Sequence, residues 1–118
     1  MKITGKAGML KIYVGESDKI DGRPLHEEII SEARKAGMAG ATAYAGIMSF
    51  GASHSLHTVK IFSLSNDLPV IIEIIDSIEK LDKFASRVDE LLNISQKGCL
   101  MILQEVDVIR YISGERYK

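Results

Sequence analysis

The order of its apolar segments constrains the fold of this chain more than any other feature of the sequence. Short apolar runs rich in strand-forming residues alternate with two longer stretches whose apolar residues recur at helical spacing. The pattern predicts the order strand, helix, strand, strand, helix, strand. The predicted strands are 9–14, 39–48, 70–75 and 100–103. Residues 106–111 continue the last strand after a kink, and 56–64 form either a short strand or a structured loop.

Both predicted helices have recognisable ends. The first opens at Arg23-Pro24 and ends at Gly37, because proline suits a first helical turn and glycine suits the position after a helix. Asp76 or Ser77 caps the second helix. Its apolar stripe consists of Ile78, Leu81, Phe84, Ala85, Val88, Leu91 and Leu92.

Two strand–helix–strand units in tandem predict one α+β domain over residues 1–118, a ferredoxin-like β-α-β-β-α-β sandwich. Its four-stranded antiparallel sheet would carry both helices on one face. The first strand has large apolar side chains in both registers, Leu10, Ile12 and Val14 in one and Met9 and Tyr13 in the other. Since two helices cover only one face, the second face is expected to meet other subunits.

Composition excludes several classes of protein. The net charge is −1 and no run of lysine or arginine marks a basic patch, so nucleic acid is not an expected partner. No apolar run approaches the length of a membrane-spanning helix. The first residues lack an apolar signal segment, which predicts a cytoplasmic protein. The single cysteine, Cys99, lies in an apolar run and is interpreted as a small buried hydrophobic residue.

The sequence contains no nucleophile–base motif and no phosphate-binding P-loop, so a binding protein is expected rather than an enzyme. Three polar, glycine-containing or basic sites lie at the ends of predicted strands: Phe50–Ser53 follows a strand, Gln96–Gly98 precedes the last one, and Arg110 lies near the end of the sheet. Glycine lets backbone amides approach an anion closely, and an arginine fork suits a phosphate. A plain turn remains the alternative for each loop.

His54 and His57 lie three residues apart in the central loop, a spacing that could serve one metal ion. No cysteine or acid stands immediately beside them, so no metal site is predicted, and hydrogen bonding to a ligand or a neighbouring subunit is favoured. His26 is expected at the surface of the first helix. Glu73 interrupts an apolar strand and needs a partner, either across a subunit boundary or on a ligand.

Several segments together resemble a family of small prokaryotic PII-like proteins of unknown function, the UPF0166 type of the nitrogen-regulatory PII superfamily. The resemblance covers roughly residues 8–111. The segments that carry it are Gly15-Glu16-Ser17-Asp18, Gly22-Arg23-Pro24-Leu25, Ala39-Gly40-Ala41-Thr42, Gly46-Ile47, Phe50-Gly51-Ala52-Ser53, Asp67-Leu68-Pro69 and 106–111.

The resemblance implies a homotrimer that binds an adenine nucleotide between subunits, requires no cofactor and reports to a membrane or enzyme partner. By position, the implied ligand-binding residues are Phe50, Gly51, Ala52, Ser53, Gln96, Lys97, Gly98 and Arg110. His54 and His57 are added as candidates for hydrogen bonds to the ligand. PII proteins carry additional polar or basic residues where Ser53, Val70, Cys99 and Ile112 stand here. This chain therefore lacks several of the charges that would neutralise a triphosphate. ADP, AMP or a cyclic nucleotide is consequently as plausible a ligand as ATP. The alternative is a trimeric divalent-metal-binding protein of the cation-tolerance type, with His54 and His57 as ligands.

Overall fold

The structure is a computed structural model, and it describes residues 2–50, 56–58, 68–96, 98–112 and 114. Within these residues the chain forms eight strands and two helices. In chain order they are β1 (Lys2–Gly15), β2 (Lys19–Ile20), β3 (Arg23–Pro24), α1 (Leu25–Lys35), β4 (Ala41–Ala45), β5 (Met48–Phe50), β6 (Leu56–Thr58), β7 (Pro69–Asp76), α2 (Ile78–Ser95) and β8 (Leu100–Ile112).

Four of these strands form an antiparallel sheet in the order β4-β7-β1-β8. With α1 and α2 in the chain, this is the predicted α+β ferredoxin-like fold. The short strands pair separately, β2 with β3 and β5 with β6. Neither helix of the described residues is long and apolar enough to cross a membrane.

The core lies between the helices and one face of the sheet. Leu10 and Ile12 of β1 and Ile72 and Ile74 of β7 are at most 1% exposed, and each pair alternates along its strand as a one-sided strand requires. The helices supply the opposing residues. Those that are fully buried are Leu25, Ile29, Leu81 and Val88. Gly8 belongs to this contact as well, since a Cβ atom there would lie 2.6 Å from Cδ1 of Ile78.

The C-terminal end of α1 and the N-cap of α2 agree with the prediction, whereas α2 continues to Ser95, into the predicted loop at Asn93–Gly98. Gly37 has a φ of +75°, and its amide donates to the Arg34 carbonyl, which places it in the left-handed position after α1. Ser77 is the N-cap of α2 and accepts a bond from the Lys80 amide. Pro24 differs slightly from the prediction, because it is the N-cap residue of α1 rather than part of its first turn.

The other face of the sheet carries no helix, and we call it the open face. By register and alternation it presents Met9, Lys11, Tyr13, Thr42, Tyr44, Ile71, Glu73, Ile75, Leu100 and Ile102. Tyr44 is 44% exposed, Leu100 52% and Ile102 39%. The prediction that large apolar side chains occupy both faces is confirmed, and the open face leaves much of that surface in contact with solvent.

β1 and β8 extend past the rest of the sheet. β7 pairs with β1 only from Gly8 onward, whereas β8 pairs with it down to Lys2. A bulge interrupts this extension where Ile3 pairs with Tyr111 and Gly5 with Val108, so that β8 carries one extra residue. The Tyr111 hydroxyl donates to the Ala39 carbonyl, which ties the extension to the loop before β4.

Three predicted boundaries were wrong. β1 begins at Lys2 rather than at Met9. Its first residues pair with β8, although their own apolar pattern is too weak to predict a strand. The predicted strand 39–48 is divided into β4 and β5 near Gly46, whose amide donates to the Pro69 carbonyl. β8 has no kink between 103 and 106, since its register with β1 is regular from Leu100 to Val108. Of the segment 56–64, the described residues Leu56–Thr58 are a strand.

Candidate ligand-binding site

The connections that contain two of the three predicted site elements meet the sheet at the same end. Gly15 pairs with Pro69, Ala45 with Val70 and Tyr13 with Leu100, so β4 ends here and β8 begins here. We call this the Pro69 end. Phe50 is the last residue of β5, the strand that follows β4, and Gly98 stands two residues before the start of β8.

A tight turn at this end is built on an acid. The Asp18 carboxylate accepts a 2.9 Å hydrogen bond from the Gly15 amide, and the Asp18 carbonyl accepts one from Leu25 at 2.8 Å. The side chain thus closes the turn that leads from β1 towards α1, a frequent role of aspartate. The Asp18 carboxylate therefore has a structural role in this turn.

The connection from α2 to β8 also has a defined geometry. Gln96 has a φ of +56° and its amide donates to the Leu92 carbonyl, so the helix ends in a left-handed residue. Ser95 donates from its hydroxyl to the same carbonyl at 2.9 Å. The chain thereby turns sharply towards Gly98, which is exposed at the surface.

Cys99 follows this turn and packs against the core. Burial raises the pKa of its thiol to about 11, against a smaller opposing effect of a backbone hydrogen bond from Tyr13. The thiol is therefore protonated at neutral pH, and thiols attack as thiolates. This supports the interpretation of Cys99 as a packing residue.

Arg110 lies far from the Pro69 end. It is exposed in the bulged part of β8, ten residues beyond Leu100. A strand rises about 3.3 Å per residue, so the two positions are about 30 Å apart. One copy of the chain does not bring Arg110 to the loop at Gly98.

The strands that lead to these two elements are also separated. β4 and β8 are opposite edges of the sheet, with β7 and β1 between them. At a strand spacing of about 4.8 Å the edges are about 14 Å apart. The end of β4, Gly98 and Arg110 are therefore spread over both edges and both ends of one sheet.

The remaining predicted residues are only partly described. Phe50 pairs with Leu56, and His57 stands opposite Ser49 in the β5–β6 hairpin. Five of the predicted residues lie outside the described residues: Gly51, Ala52, Ser53, His54 and Lys97. The hydrogen-bonding role of His54 and His57 therefore stays a prediction. Among the residues that the structure describes, no cluster of three or more histidine, cysteine or acidic side chains could hold a metal.

His26 differs from the sequence expectation. It is partly buried in the first turn of α1, and its Nδ1 atom is enclosed with no hydrogen-bond partner among the described residues.

Glu73 finds its partners within its own chain. Its carboxylate accepts a 2.7 Å hydrogen bond from the Tyr44 hydroxyl and lies 3.6 Å from the Lys11 ammonium. The hydrogen bond to the carboxylate is the main reason that the pKa of Tyr44 rises to about 12. Sequence reasoning missed Tyr44 and Lys11, although Lys11, like Glu73, is a single charge within an apolar strand.

Comparison with protein families agrees with this fold. The model of the family described as DUF190, Uncharacterized ACR, COG1993, matches residues 7–108. The chain belongs to this family. Two relatives of this chain carry the description UPF0166 protein. One from Methanocaldococcus jannaschii is 34% identical over 96% of this chain and 98% of its own, and one from Aquifex aeolicus is 30% identical over 88% and 94%. The UPF0166 resemblance is therefore confirmed.

Solved structures of other proteins share the fold of this chain. CPII of Thiomonas intermedia K12, a nitrogen regulatory PII-like protein bound to ADP, AMP and bicarbonate, aligns with a TM-score of 0.63 at 15% identity, over 87% of this chain and 88% of CPII. A phage SAM lyase in complex with S-methyl-5'-thioadenosine aligns with a TM-score of 0.52 at 19% identity, over 100% and 98%. At these identities the likeness concerns the fold alone, and the fold accommodates an enzyme as well as PII-like proteins.

Proposed function

We propose that this chain is a single PII-like domain over residues 1–118 that acts as a homotrimeric sensor, not an enzyme, and binds an adenine nucleotide between subunits. One observation carries the proposal. Gly98 and Arg110 lie about 30 Å apart at opposite ends of β8, so a single copy cannot bring both of them to one ligand. A ring of copies can place one subunit's Arg110 beside another subunit's loops.

The open face supplies a surface on which copies can meet. It is an apolar sheet surface with several side chains about half exposed, and exposed patches of this kind mark interaction sites. It also carries both signs of charge, Lys11 and Glu73. A surface that offers both signs is compatible with contact between identical copies.

The ligand class follows from the chemistry of the candidate residues and from the likeness to CPII, a protein bound to ADP and AMP. Backbone at Gly51 and Gly98 would approach the phosphates, and Lys97 and Arg110 would supply positive charge. Ser53, His54 and His57 would supply hydrogen bonds. With few cations available, ADP and AMP are the first ligands to examine, followed by ATP.

Calorimetric titration with AMP, ADP, ATP and cyclic AMP tests the ligand. We expect at least one of them to bind the wild-type protein and Arg110→Ala to weaken that binding at least tenfold. Arg34→Ala is the matched control, since Arg34 is an exposed arginine on α1 and is not among the candidate residues. The absence of binding by all four nucleotides would refute the proposal.

Mixed oligomers test whether the site is shared between subunits. Arg110→Ala and Gly98→Glu chains are each expected to assemble as trimers in native mass spectrometry and to bind poorly. After unfolding and refolding together, mixed trimers would contain interfaces with both residues intact, and part of the nucleotide binding should return. If mixing restores nothing, the two residues do not serve a shared site.

A further inference from the structure

A groove of about 400 Å³ lies between the helices, on the face of the fold opposite the open face. The last turns of α1 form one wall, and the first half of α2 forms the other. None of the residues proposed for nucleotide binding lines it.

The groove concentrates positive charge on a chain whose net charge is −1. Four of its lining residues are cations, Lys35, Lys80, Lys83 and Arg87, and one is an acid, Glu32. The cations on α2 recur at intervals of three and four residues, so they share one side of the helix over about 10 Å.

The four cations differ in how far the chain itself neutralises them. Arg87 bridges Glu32 at 3.2 Å and Glu90 at 3.0 Å, and the Lys80 ammonium lies 3.3 Å from Asp76. Lys35 and Lys83 form no ion pair with any of the described residues, and both are exposed. These two lysines therefore present uncompensated charge at the rim.

The floor of the groove is apolar. Phe84 is 3% exposed and belongs to the core, and Met38 packs against that core while remaining partly exposed. Methionine adapts its shape to different apolar partners. A single bulky apolar side chain can therefore rest on Met38 while acidic neighbours face the lysines.

We propose that this groove docks an acidic segment of a partner protein, which places one apolar side chain on the Met38–Phe84 floor. A small anion would use the lysines but not the floor, whereas an acidic segment with an apolar anchor uses both. The groove lies on the helix layer, so association of copies through the open face leaves it accessible.

Fluorescence anisotropy with synthetic peptides tests the proposal. The probe is a short labelled peptide of glutamates around one phenylalanine, and the comparison peptides replace either the phenylalanine by alanine or the glutamates by lysines. We expect the glutamate–phenylalanine peptide to bind at least tenfold more tightly than either comparison peptide, with an affinity that falls as salt rises.

Charge reversal locates the binding. Lys35→Glu/Lys83→Glu should weaken peptide binding at least tenfold, whereas Lys6→Glu/Lys19→Glu, which changes the net charge equally at exposed lysines elsewhere, should leave it nearly unchanged. Circular dichroism checks the folding of both, and Lys35→Ala/Lys83→Ala replaces the reversal variant if it unfolds.

Four outcomes would overturn the proposal. The first is that the glutamate–phenylalanine peptide does not bind, and the second is that both charge-reversal variants lose binding equally. The third is that the alanine peptide binds as well as the phenylalanine peptide. The fourth is that inorganic phosphate displaces the peptide completely. The last outcome would mark a site for small anions. Nucleotide titration is separate, so failure here leaves the proposed function unaffected.

Discussion

Asp76 joins three parts of the fold, and its removal is the most informative test of the packing. One carboxylate oxygen accepts a 2.9 Å bond from the Ala39 amide, and the other accepts a 2.7 Å bond from the Ser77 amide. The Lys80 ammonium lies 3.3 Å away. The residue is only 6% exposed, and Asp76→Ala deprives two amides of their acceptor.

The expected loss can be estimated from these contacts. A buried donor left without an acceptor costs ~1–3 kcal/mol, and the half-exposed pair with Lys80 adds at most ~1 kcal/mol. The Ser77 amide is at the start of a helix, where water can replace part of its bond. We therefore expect Asp76→Ala to lower the free energy of unfolding by about 2–4 kcal/mol.

The same contacts predict a dependence on pH. Burial by itself would raise the pKa of Asp76, but the bonds from Ser77, Ala39 and Lys80 outweigh it and hold the pKa below its usual value. The ionised carboxylate thus stabilises the fold at pH values above the ordinary aspartate pKa of about 3.9. That stabilisation disappears as the pH falls through the lower folded-state pKa. Asp76→Asn should therefore be less stable than wild type at neutral pH, and the difference should shrink in acid.

Urea unfolding at neutral and acidic pH measures both effects, at one fixed protein concentration because association would shift the midpoint. Asp82→Ala is the control, since Asp82 is an exposed acid on α2, the helix that follows Asp76. The reasoning is wrong if Asp76→Ala lies within ~0.5 kcal/mol of the control, or if the Asp76→Asn difference is constant with pH.

Three further predictions test other contacts. Gly8→Ala should destabilise the fold by about 1–3 kcal/mol in urea, because its Cβ would press on α2; an unchanged midpoint would contradict that packing. Near-ultraviolet titration should show Tyr44 still protonated near pH 11, about one unit below its pKa, and Glu73→Gln should let one more tyrosine ionise there. An identical titration in the variant would mean that the hydrogen bond does not raise the pKa. Cys99 should react slowly with a thiol-specific disulfide reagent at neutral pH and quickly in urea, since burial holds its pKa near 11; fast reaction in the native protein would count against this.

The sequence predicted the fold wherever one surface of an element is buried. Leu10, Ile12 and Val14 alternate because the helices cover their side of β1, and Leu81 and Val88 recur at helical spacing because they face that sheet. The sequence did not predict that Lys2–Ala7 belong to β1. These residues pair with β8, and a pairing with a distant segment leaves no local pattern in the sequence.

The site was harder to predict than the fold. Local spacing identifies glycine-containing loops and isolated charges, but it carries no information about which subunit supplies each one. Glu73 shows the same limit within a single chain. Its position demanded a partner, yet Tyr44 meets it only because β4 pairs with β7.

The pairing of β1 with β8 has a consequence for how the protein folds. β1 lies inside the sheet, yet one of its two neighbours comes from the distant C-terminal part of the chain, with paired residues roughly 90 to 110 positions apart. During synthesis β1 leaves the ribosome long before β8, so one of its edges stays unpaired until β8 has been made. Such non-local pairing slows folding, and an unpaired strand edge can join another chain. Slow refolding with concentration-dependent aggregation is therefore expected of this topology, and truncation before Leu100 would leave that edge open permanently.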